Sequence, residues 1–344
     1  MAESGLAKYL RDFHAGRELA ASDAESFFDL LIAEQDCDVL TGLLSAWQQK
    51  GVTENEIFGL ASVMRSRMVR IKSVHERFVD SVGTGGSRAK TFNVSTAAAF
   101  VAAGAGVAVA KHGNRAASSK TGSADALSEL GVKVDVEPRV AERCLNEIGA
   151  CFMFAPKYHR LSPVLADARR RLGTPTVFNS LGPLCNPASA PHQLIGVWNR
   201  DLVRTKANVL AKLGTRRSWI VHGEDGLDEI TLRGRTYVAE TDESGSVREF
   251  ELSPGDFGMA NGNAELPRAS TAAESTEIIR SVLANRMRDE PAEKIVLLNA
   301  AATLHLAGVG VTLTDSLTAA RESLRSGRAA AKLDQLASAT NEQG

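Results

Sequence analysis

The sequence has little of several features that mark specialised classes of protein. Its four cysteines, Cys37, Cys144, Cys151 and Cys185, form no CxxC pair, so neither a disulfide-rich domain nor a Cys/His zinc cluster is expected. Aromatic residues make up 5% of the 344 residues, too few for a surface that stacks bases. No apolar run approaches the ~20 residues of a membrane-spanning helix, and the first residues do not resemble a signal peptide. We therefore expect a cytoplasmic globular enzyme.

The sequence also lacks an excess of charge of either sign. Forty Lys and Arg residues balance 41 Asp and Glu residues, which leaves a formal net charge of −1. This balance supplies no overall attraction to nucleic acid or to an anionic membrane, so we expect neither as a partner. The hydrophobic content of 44% is sufficient for a large core, and the length corresponds to about two domains at ~150 residues each.

Residues 1–72 have the pattern of a small α-helical domain. Ser22 and Thr53 each begin a capping-box pattern, in which a hydroxyl and an acidic side chain three residues later bond to the first turn of a helix. Gly51 stands where the intervening helix should end. We expect helices from about 160–190 to join this domain in space.

From Phe78 the pattern changes to short apolar strands that alternate with helices. The predicted elements are a strand at 78–82, a helix at 95–105, a strand at 107–110, a helix at 123–130, a strand at 132–136, helices at 163–173 and 199–213, further strands between 219 and 252, and mostly helix from 273. This alternation predicts parallel βαβ units. The expected fold is α/β: the small helical domain, followed over 73–344 by a larger domain with a central, mostly parallel sheet flanked by helices.

A glycine-rich loop, Gly83-Thr84-Gly85-Gly86, follows the first strand. Arg88 occupies the position of the third glycine of a dinucleotide fingerprint, and no Walker A pattern occurs, so both nucleotide motifs are excluded. The glycines alone could form a tight turn, and Ser95 with Thr96 could simply cap the next helix. However, free N–H groups at a helix N-terminus, with hydroxyl and amide side chains nearby, also form an anion site.

A second polar loop, Lys111-His112-Gly113-Asn114-Arg115, leaves the next strand. Each of these side chains alone is more often solvated or structural than ligand-binding, and we assign His112 no acid/base role. Ligands of parallel sheets bind beyond the carboxyl ends of the strands. Two such loops on neighbouring strands therefore predict a substrate with two phosphate groups.

Two further groups are candidates for the same site. Asp228 and Glu229 lie in an acidic turn; such pairs are usually solvated, but beside a pyrophosphate their oxygens suit magnesium. Arg169, Arg170 and Arg171 are consecutive on a predicted helix, so at most one or two of them can face a cleft and hold a carboxylate.

These motifs, in their order and spacing, resemble the anthranilate phosphoribosyltransferase family over roughly residues 22–340. The segments 152–156 and 178–187 resemble the family as well. The resemblance implies a homodimer that transfers the phosphoribosyl group of phosphoribosyl pyrophosphate to the amine of anthranilate, a step of tryptophan biosynthesis. It implies no acid/base residue, so that catalysis would rest on positioning and electrostatics.

The resemblance also assigns residues by their position in the motifs. Phosphoribosyl pyrophosphate would be bound by Gly83, Gly86, Ser87, Thr91, Asn93, Val94, Ser95, Thr96, Lys111, His112, Gly113, Asn114, Arg115, Ala116, Ala117, Ser118, Ser119 and Ser123. Anthranilate would contact Gly83, Asn114 and Arg169, with Arg169 favoured over Arg170. Two magnesium ions per subunit would be held by Ser95, Asp228 and Glu229. The family usually has an acidic residue where this chain has Ser87.

We weigh three alternatives to this interpretation, and the residues count against the first two. A pyrimidine-nucleoside phosphorylase would have Lys-His-Ser-Thr-Gly-Gly where this chain has Lys111-His112-Gly113-Asn114-Arg115. A non-catalytic nucleic-acid-binding paralogue should lack Arg169 and carry a basic surface. A transferase with another aromatic amine as its acceptor is the alternative that the sequence discriminates least.

Overall fold

The computed structural model describes residues 5–85, 91–115, 121–260 and 265–342. The N-terminal region is helical and consists of α1 (Ala7–His14), α2 (Ala24–Ala33), α3 (Cys37–Lys50) and α4 (Glu54–Arg67). Thr53 and Glu56 form the predicted capping box of α4, and Gly51 ends α3 with a φ of 87°. The capping box predicted at Ser22 is wrong. A 3-10 turn precedes α2, and the Ser22 hydroxyl bonds to the adjacent Asp23 carboxylate instead of capping the helix.

Seven strands form one sheet within the described ranges. They are β1 (Phe78–Gly83), β2 (Ala108–Gly113), β3 (Ala150–Phe154), β4 (His192–Gly196), β5 (Arg217–Gly223), β6 (Thr236–Asp242) and β7 (Val247–Leu252). Their order is β3-β2-β1-β4-β5-β6-β7. The first five strands in this order are parallel to one another, β6 is antiparallel to β5, and β7 is antiparallel to β6. The predicted α/β fold with a mostly parallel sheet is confirmed.

The strand predicted at 132–136 is wrong. Val132, Val134 and Val136 are buried, which produces the alternating pattern, but their segment forms turns and has no sheet pairing. Alternating burial requires only that one side of an extended segment face the core, whereas a strand also needs a backbone partner. β2 pairs instead with β3, a continuous apolar run that was not predicted as a strand. β4, which begins with two buried polar residues, was not predicted either.

The remaining helices surround the sheet. They are α5 (Val94–Gly104), α6 (Ser123–Glu129), α7 (Pro138–Ile148), α8 (Ala155–His159), α9 (Pro163–Leu172), α10 (Val177–Leu181), α11 (Asp201–Leu213), α12 (Ala272–Leu283), α13 (Pro291–Leu306), α14 (Leu313–Arg325) and α15 (Arg328–Asn341). In the described part of the chain, none of the helices is long and apolar enough to cross a membrane. α5 is buried along its length and packs against α13 and α15.

The described residues form two hydrophobic cores. The larger surrounds α5 and α13, whereas the smaller joins α2–α4 to α9, α10, α11 and one face of β4–β6. Phe27 and Trp47 from the N-terminal helices belong to the same cluster as Leu165 of α9 and Leu181 of α10. Helices from 163–181 thus pack with the N-terminal region. The division into domains at residue 72 stays a prediction.

Candidate functional site

The candidate site lies where the carboxyl ends of β1 and β4 meet. β1 is flanked by β2 on one side and by β4 on the other, so the chain reverses its direction of progress across the sheet at this point. Such a switch point opens a crevice in which parallel sheets bind ligands. The first polar loop leaves β1, the second leaves β2, and the acidic turn follows β5.

Two glycines allow the acidic turn to pack directly on the strand ends. Gly83 and Gly196 are register partners on β1 and β4. A Cβ at Gly83 would lie 2.8 Å from Asp228 Oδ2, and one at Gly196 would overlap the Asp228 backbone carbonyl. Any larger residue at Gly196 would therefore displace Asp228.

The acidic pair Asp228 and Glu229 faces the first loop and the start of α5. The Gly85 amide donates to Asp228 Oδ2 at 3.2 Å, and the Ser95 amide donates to Glu229 Oε1 at 3.2 Å. Burial raises the pKa of Asp228. Burial, and then the Asp228 charge, raise the pKa of Glu229 to about 8. Two partly buried carboxylates that repel each other favour a cation beside them.

Lys111 brings the second loop to the same place. Its side chain is buried, and Nζ donates to the Ser81 carbonyl at 2.5 Å and to Ser95 Oγ at 3.3 Å. Burial lowers the pKa of Lys111, while Asp80 and Glu229 oppose that shift. The structure thus brings together three residues that lie far apart in sequence: Ser95, Lys111 and Glu229.

Asp80 and Asn186 support this cluster, and neither was predicted from the sequence. Asp80 is fully buried; its Oδ1 accepts from the His112 amide at 3.2 Å and its Oδ2 accepts from Asn186 Nδ2 at 2.7 Å. Burial raises the pKa of Asp80 to about 6, although Lys111 acts against this shift. A carboxylate inside an apolar strand is the sequence signal that could have identified Asp80.

His112 is paired with a second histidine that was not predicted. His112 Nδ1 lies 3.1 Å from the Gly182 carbonyl, and its Nε2 lies 3.1 Å from Nε2 of His159, at the end of α8. Burial lowers the pKa of both rings, that of His159 to about 4. Since one Nε2 must be unprotonated to accept from the other, at least one of the two rings is neutral, and the lowered pKa values favour the neutral form of both.

The other residues of the first loop surround the start of α5. Asn93 Oδ1 accepts from Ser275 Oγ at 2.8 Å, which ties the loop to α12. Thr91 Oγ1 donates to the Phe92 carbonyl at 3.3 Å, Val94 is buried, and Thr96 Oγ1 is buried with no hydrogen-bond partner among the described atoms. Gly86 and Ser87 lie outside the described residues.

The second loop continues toward α6. Asn114 and Arg115 are exposed, and Arg115 Nη1 lies 3.1 Å from Asp125 Oδ1. A Cβ at Gly113 would overlap the hydroxyl of Ser123, the first residue of α6, so this glycine allows a close approach. The remaining predicted residues of this loop, Ala116, Ala117, Ser118 and Ser119, lie outside the described residues.

Of the three consecutive arginines, Arg169 faces inward. Its guanidinium lies 5.2 Å from the ring centroid of Phe178 in α10, and its buried Nε has no hydrogen-bond partner within the described part of the chain. Burial lowers its pKa to about 10. Arg170 and Arg171 are exposed and pair with Asp167 and Asp38. An inward guanidinium with an unused donor is suited to a carboxylate.

Comparisons with known proteins agree on one family. A family model described as "Glycosyl transferase family, a/b domain" matches residues 75–330. The anthranilate phosphoribosyltransferase of Moorella thermoacetica is 45% identical over 323 residues, 94% of each chain. The crystal structure of the Thermus thermophilus enzyme superposes with a TM-score of 0.86 at 35% identity, covering 96% of this chain and 99% of that one.

The anthranilate phosphoribosyltransferase of Saccharomyces cerevisiae is also similar. Its complex with phosphoribosyl pyrophosphate and magnesium has a TM-score of 0.87 at 25% identity, covering 99% of both chains. Its complex with 4-fluoroanthranilate has a TM-score of 0.85 at 25% identity, covering 98% of both.

The family match covers most of the chain, and together with the α/β fold and its two polar loops at the switch point it makes the class of the protein a glycosyltransferase. More particularly, the chain belongs to the anthranilate phosphoribosyltransferase family.

Proposed function

We propose that this chain transfers the phosphoribosyl group of phosphoribosyl pyrophosphate to the amine of anthranilate, in tryptophan biosynthesis. The products are N-(5-phosphoribosyl)anthranilate and pyrophosphate. The observation that carries the proposal is the convergence of Ser95, Lys111 and the pair Asp228 and Glu229 at the carboxyl ends of β1, β2 and β4. The names of the relatives support the same reaction.

The donor binds between the two polar loops. Backbone amides of the first loop and of the α5 N-terminus supply hydrogen-bond donors to the pyrophosphate, and the helix dipole adds positive potential there. Lys111 supplies a buried positive charge that Ser95 and the Ser81 carbonyl hold in place. These fixed donors stabilise the charge that develops on the pyrophosphate as its bond to the ribose breaks.

Magnesium fits the donor set of the acidic pair. No group of three or more His, Cys, Asp or Glu side chains that could hold a metal occurs within 5–85, 91–115, 121–260 and 265–342. Two carboxylates with the Ser95 hydroxyl therefore suit an ion that takes its other oxygen ligands from water and substrate phosphates, as Mg²⁺ commonly does. We propose two ions per subunit, at Ser95, Asp228 and Glu229. When bound, they neutralise charge on the leaving pyrophosphate.

Arg169 orients the acceptor. Its guanidinium holds the carboxylate of anthranilate, and Asn114 and Gly83 contact the rest of the ring from the two loops. The amine lone pair attacks C1 of the ribose as the C1–oxygen bond to pyrophosphate breaks, and the nitrogen then loses a proton to solvent. An arylamine is already neutral at pH 7, so no basic side chain has to activate it. Positioning supplies the rate acceleration.

We further propose the assembly in which this reaction occurs. The helical region of residues 1–72, with helices from about 160–190, forms a small domain that closes on the larger domain of 73–344 and excludes water from the activated sugar. The contact of α3 with α9, which carries Arg169, supports this arrangement. The enzyme is a cytoplasmic homodimer.

Anthranilate fluorescence tests the proposal. On addition of phosphoribosyl pyrophosphate and magnesium, the fluorescence should decay, and EDTA should stop the decay until magnesium is restored. The Asp228→Asn variant should need more magnesium for the same rate. No decay with anthranilate, together with calorimetric binding of phosphoribosyl pyrophosphate, would indicate a different amine acceptor. Failure to bind either substrate would contradict the transferase proposal altogether.

A further inference from the structure

A cavity of about 690 Å³, wide open to solvent, lies at the amino ends of the parallel strands, the end of the sheet opposite to the candidate site. It is bounded by the residues that precede β1, by the first residues of β4 and β5, and by the end of β6. Arg77, His192, Arg216 and Arg217 line it. Parallel sheets bind their substrates at the carboxyl ends of their strands, so the proposed reaction does not account for this cluster of side chains at the amino ends.

His192 is the buried polar residue of the cavity. The residue is 5% exposed, yet neither Nδ1 nor Nε2 meets the geometry of a hydrogen bond to a described residue. Burial lowers its pKa; a weak hydrogen-bonding interaction with the Arg217 backbone opposes that shift, and the charges of Arg216, Arg217 and Arg77 add to it. The ring is therefore held in positive surroundings, and neither ring nitrogen forms a well-aligned hydrogen bond with a described residue, which is uncommon for a buried side chain.

Two of the three arginines already form ion pairs with carboxylates of this chain. Arg217 pairs with Glu240 at 3.0 Å, and this pair is half-buried. Arg216 Nη1 lies 3.6 Å from Glu76 Oε1, but both side chains are largely exposed, so solvent screens the interaction. Arg216 can thus exchange Glu76 for another anion at little cost.

Arg77 has no ion pair within the described ranges. Its Nη1 lies beside Gly308, where a Cβ would be only 3.3 Å away, so this glycine leaves room for the guanidinium against the chain that follows α13. Arg77 therefore brings to the cavity a positive charge that is in direct contact with no described carboxylate.

The acidic residues of the lining restrict the size of a ligand. Asp242 is held in its turn by hydrogen bonds from Ser244 and Ser246, and Glu243 follows it on the exposed rim. These carboxylates would repel an extended polyanion such as pyrophosphate. A single small anionic group that reaches His192 avoids them.

We propose that this cavity binds a small anion through a carboxylate or phosphate group, with Arg77, Arg216 and His192 as its donors. A guanidinium can hold either group through two parallel hydrogen bonds, and His192 gains a partner for a ring nitrogen. The site is separate from the candidate active site, so the inference does not depend on the proposed reaction.

Nuclear magnetic resonance of protein with isotope-labelled histidine tests this inference. His192→Gln assigns the His192 signal, which is followed at constant pH as sodium phosphate or sodium acetate is added. Sodium chloride at matched ionic strength is the control. His112 and His159 lie at the candidate active site, at the other end of the strands, and report separately on any anion bound at that site. The two titrations distinguish a phosphate from a carboxylate ligand.

We expect the His192 signal to shift and saturate with phosphate or acetate but not with chloride. Arg77→Gln should weaken that binding about fivefold, as loss of a partly exposed charge implies. Arg325→Gln, which removes an exposed arginine from α14, should leave it unchanged. Thermal unfolding confirms that both variants are folded. A His192 signal that responds equally to all three salts, or equal affinity in both arginine variants, would overturn the proposal.

Discussion

Asn186 donates a 2.7 Å hydrogen bond from its Nδ2 to Oδ2 of Asp80, and the same nitrogen donates to the Ala110 carbonyl at 2.9 Å. Both side chains are buried. Asp80 also accepts from the His112 amide, so the pair fixes the backbone of β2 at the point where the second polar loop begins. The charge of Asp80 also favours the protonated form of the buried Lys111.

Replacing Asp80 by Asn tests this support. In either orientation, the new amide group points a donor at the His112 amide or at Asn186, and the counter-charge of Lys111 is lost. We expect stability to fall by about 2–3 kcal/mol and kcat/KM for phosphoribosyl pyrophosphate to fall by at least roughly tenfold. Urea unfolding and initial rates measure the two effects. Asp334→Asn, on the exposed side of α15, is the control; an equal effect there would contradict the assignment.

The arginines of α9 provide a matched pair of variants. Arg169→Ala removes the inward guanidinium, so KM for anthranilate should rise roughly 10- to 100-fold, the range expected for one charged hydrogen bond. KM for phosphoribosyl pyrophosphate should change little. Arg170→Ala removes an exposed charge that pairs with Asp167 and should leave both values unchanged. Equal loss for both variants would mean that the helix, and not its inward side chain, matters.

Two glycines test the packing of the acidic turn. A methyl group at Gly196 would overlap the Asp228 carbonyl, so Gly196→Ala should displace Asp228 and increase the magnesium concentration needed for half-maximal rate. Gly42 lies in α3 with open space around the position of its Cβ. Gly42→Ala should therefore raise stability by about 0.5–1 kcal/mol without a change in the magnesium response. Magnesium titrations of both variants show whether only Gly196→Ala increases the magnesium concentration needed for half-maximal rate.

Glu56 holds the start of α4 to the rest of the helical region. Its carboxylate accepts from the Leu19 amide at 2.8 Å, Trp47 Nε1 at 3.0 Å, Lys50 Nζ at 2.9 Å and the Thr53 amide at 2.8 Å. Glu56→Gln turns one oxygen into a donor that faces other donors. We expect it to lower the free energy of unfolding by about 2–4 kcal/mol.

The control for this variant is Glu25→Gln. Glu25 is 73% exposed and pairs with Arg67 at the surface, so its loss should cost less than about 1 kcal/mol. Urea unfolding of the two variants under one condition gives the comparison. Similar losses would show that the buried network of Glu56 contributes no more than a surface pair.

The paired histidines predict a loss of stability in acid. The pKa of His159 is about 4 in the folded chain, below the value of about 6.5 in an unfolded one. The unfolded chain therefore binds more protons between these values, and stability falls as the pH decreases from about 6.5 toward 4. Urea unfolding at pH 7.5 and 5 should show a loss on the order of 1–2 kcal/mol from this residue. In His159→Gln the loss should be smaller by that amount; an unchanged loss would assign it to other groups.

Local patterns in the sequence were sufficient for much of the fold. Thr53 and Glu56 cap α4 as predicted, because capping depends on residues within one turn of each other. β1, β2 and the helix between them lie close to their predicted positions, since each combines an apolar run with a glycine-rich end. The segment of Val132, Val134 and Val136 shows the limit: its alternation reports burial, but a strand requires a partner that can lie anywhere in the chain.

The sequence by itself determined the α/β class, the two polar loops and the presence of one acidic turn, because each depends on neighbouring residues. Only the tertiary structure decided that Glu229 meets the Ser95 amide across 134 positions of sequence and that Asn186 reaches Asp80 across 106. It also decided that Arg169, and not Arg170, points inward. These contacts follow from the order of strands in the sheet and from the rotation of α9 on its neighbours, which depend on packing among distant segments.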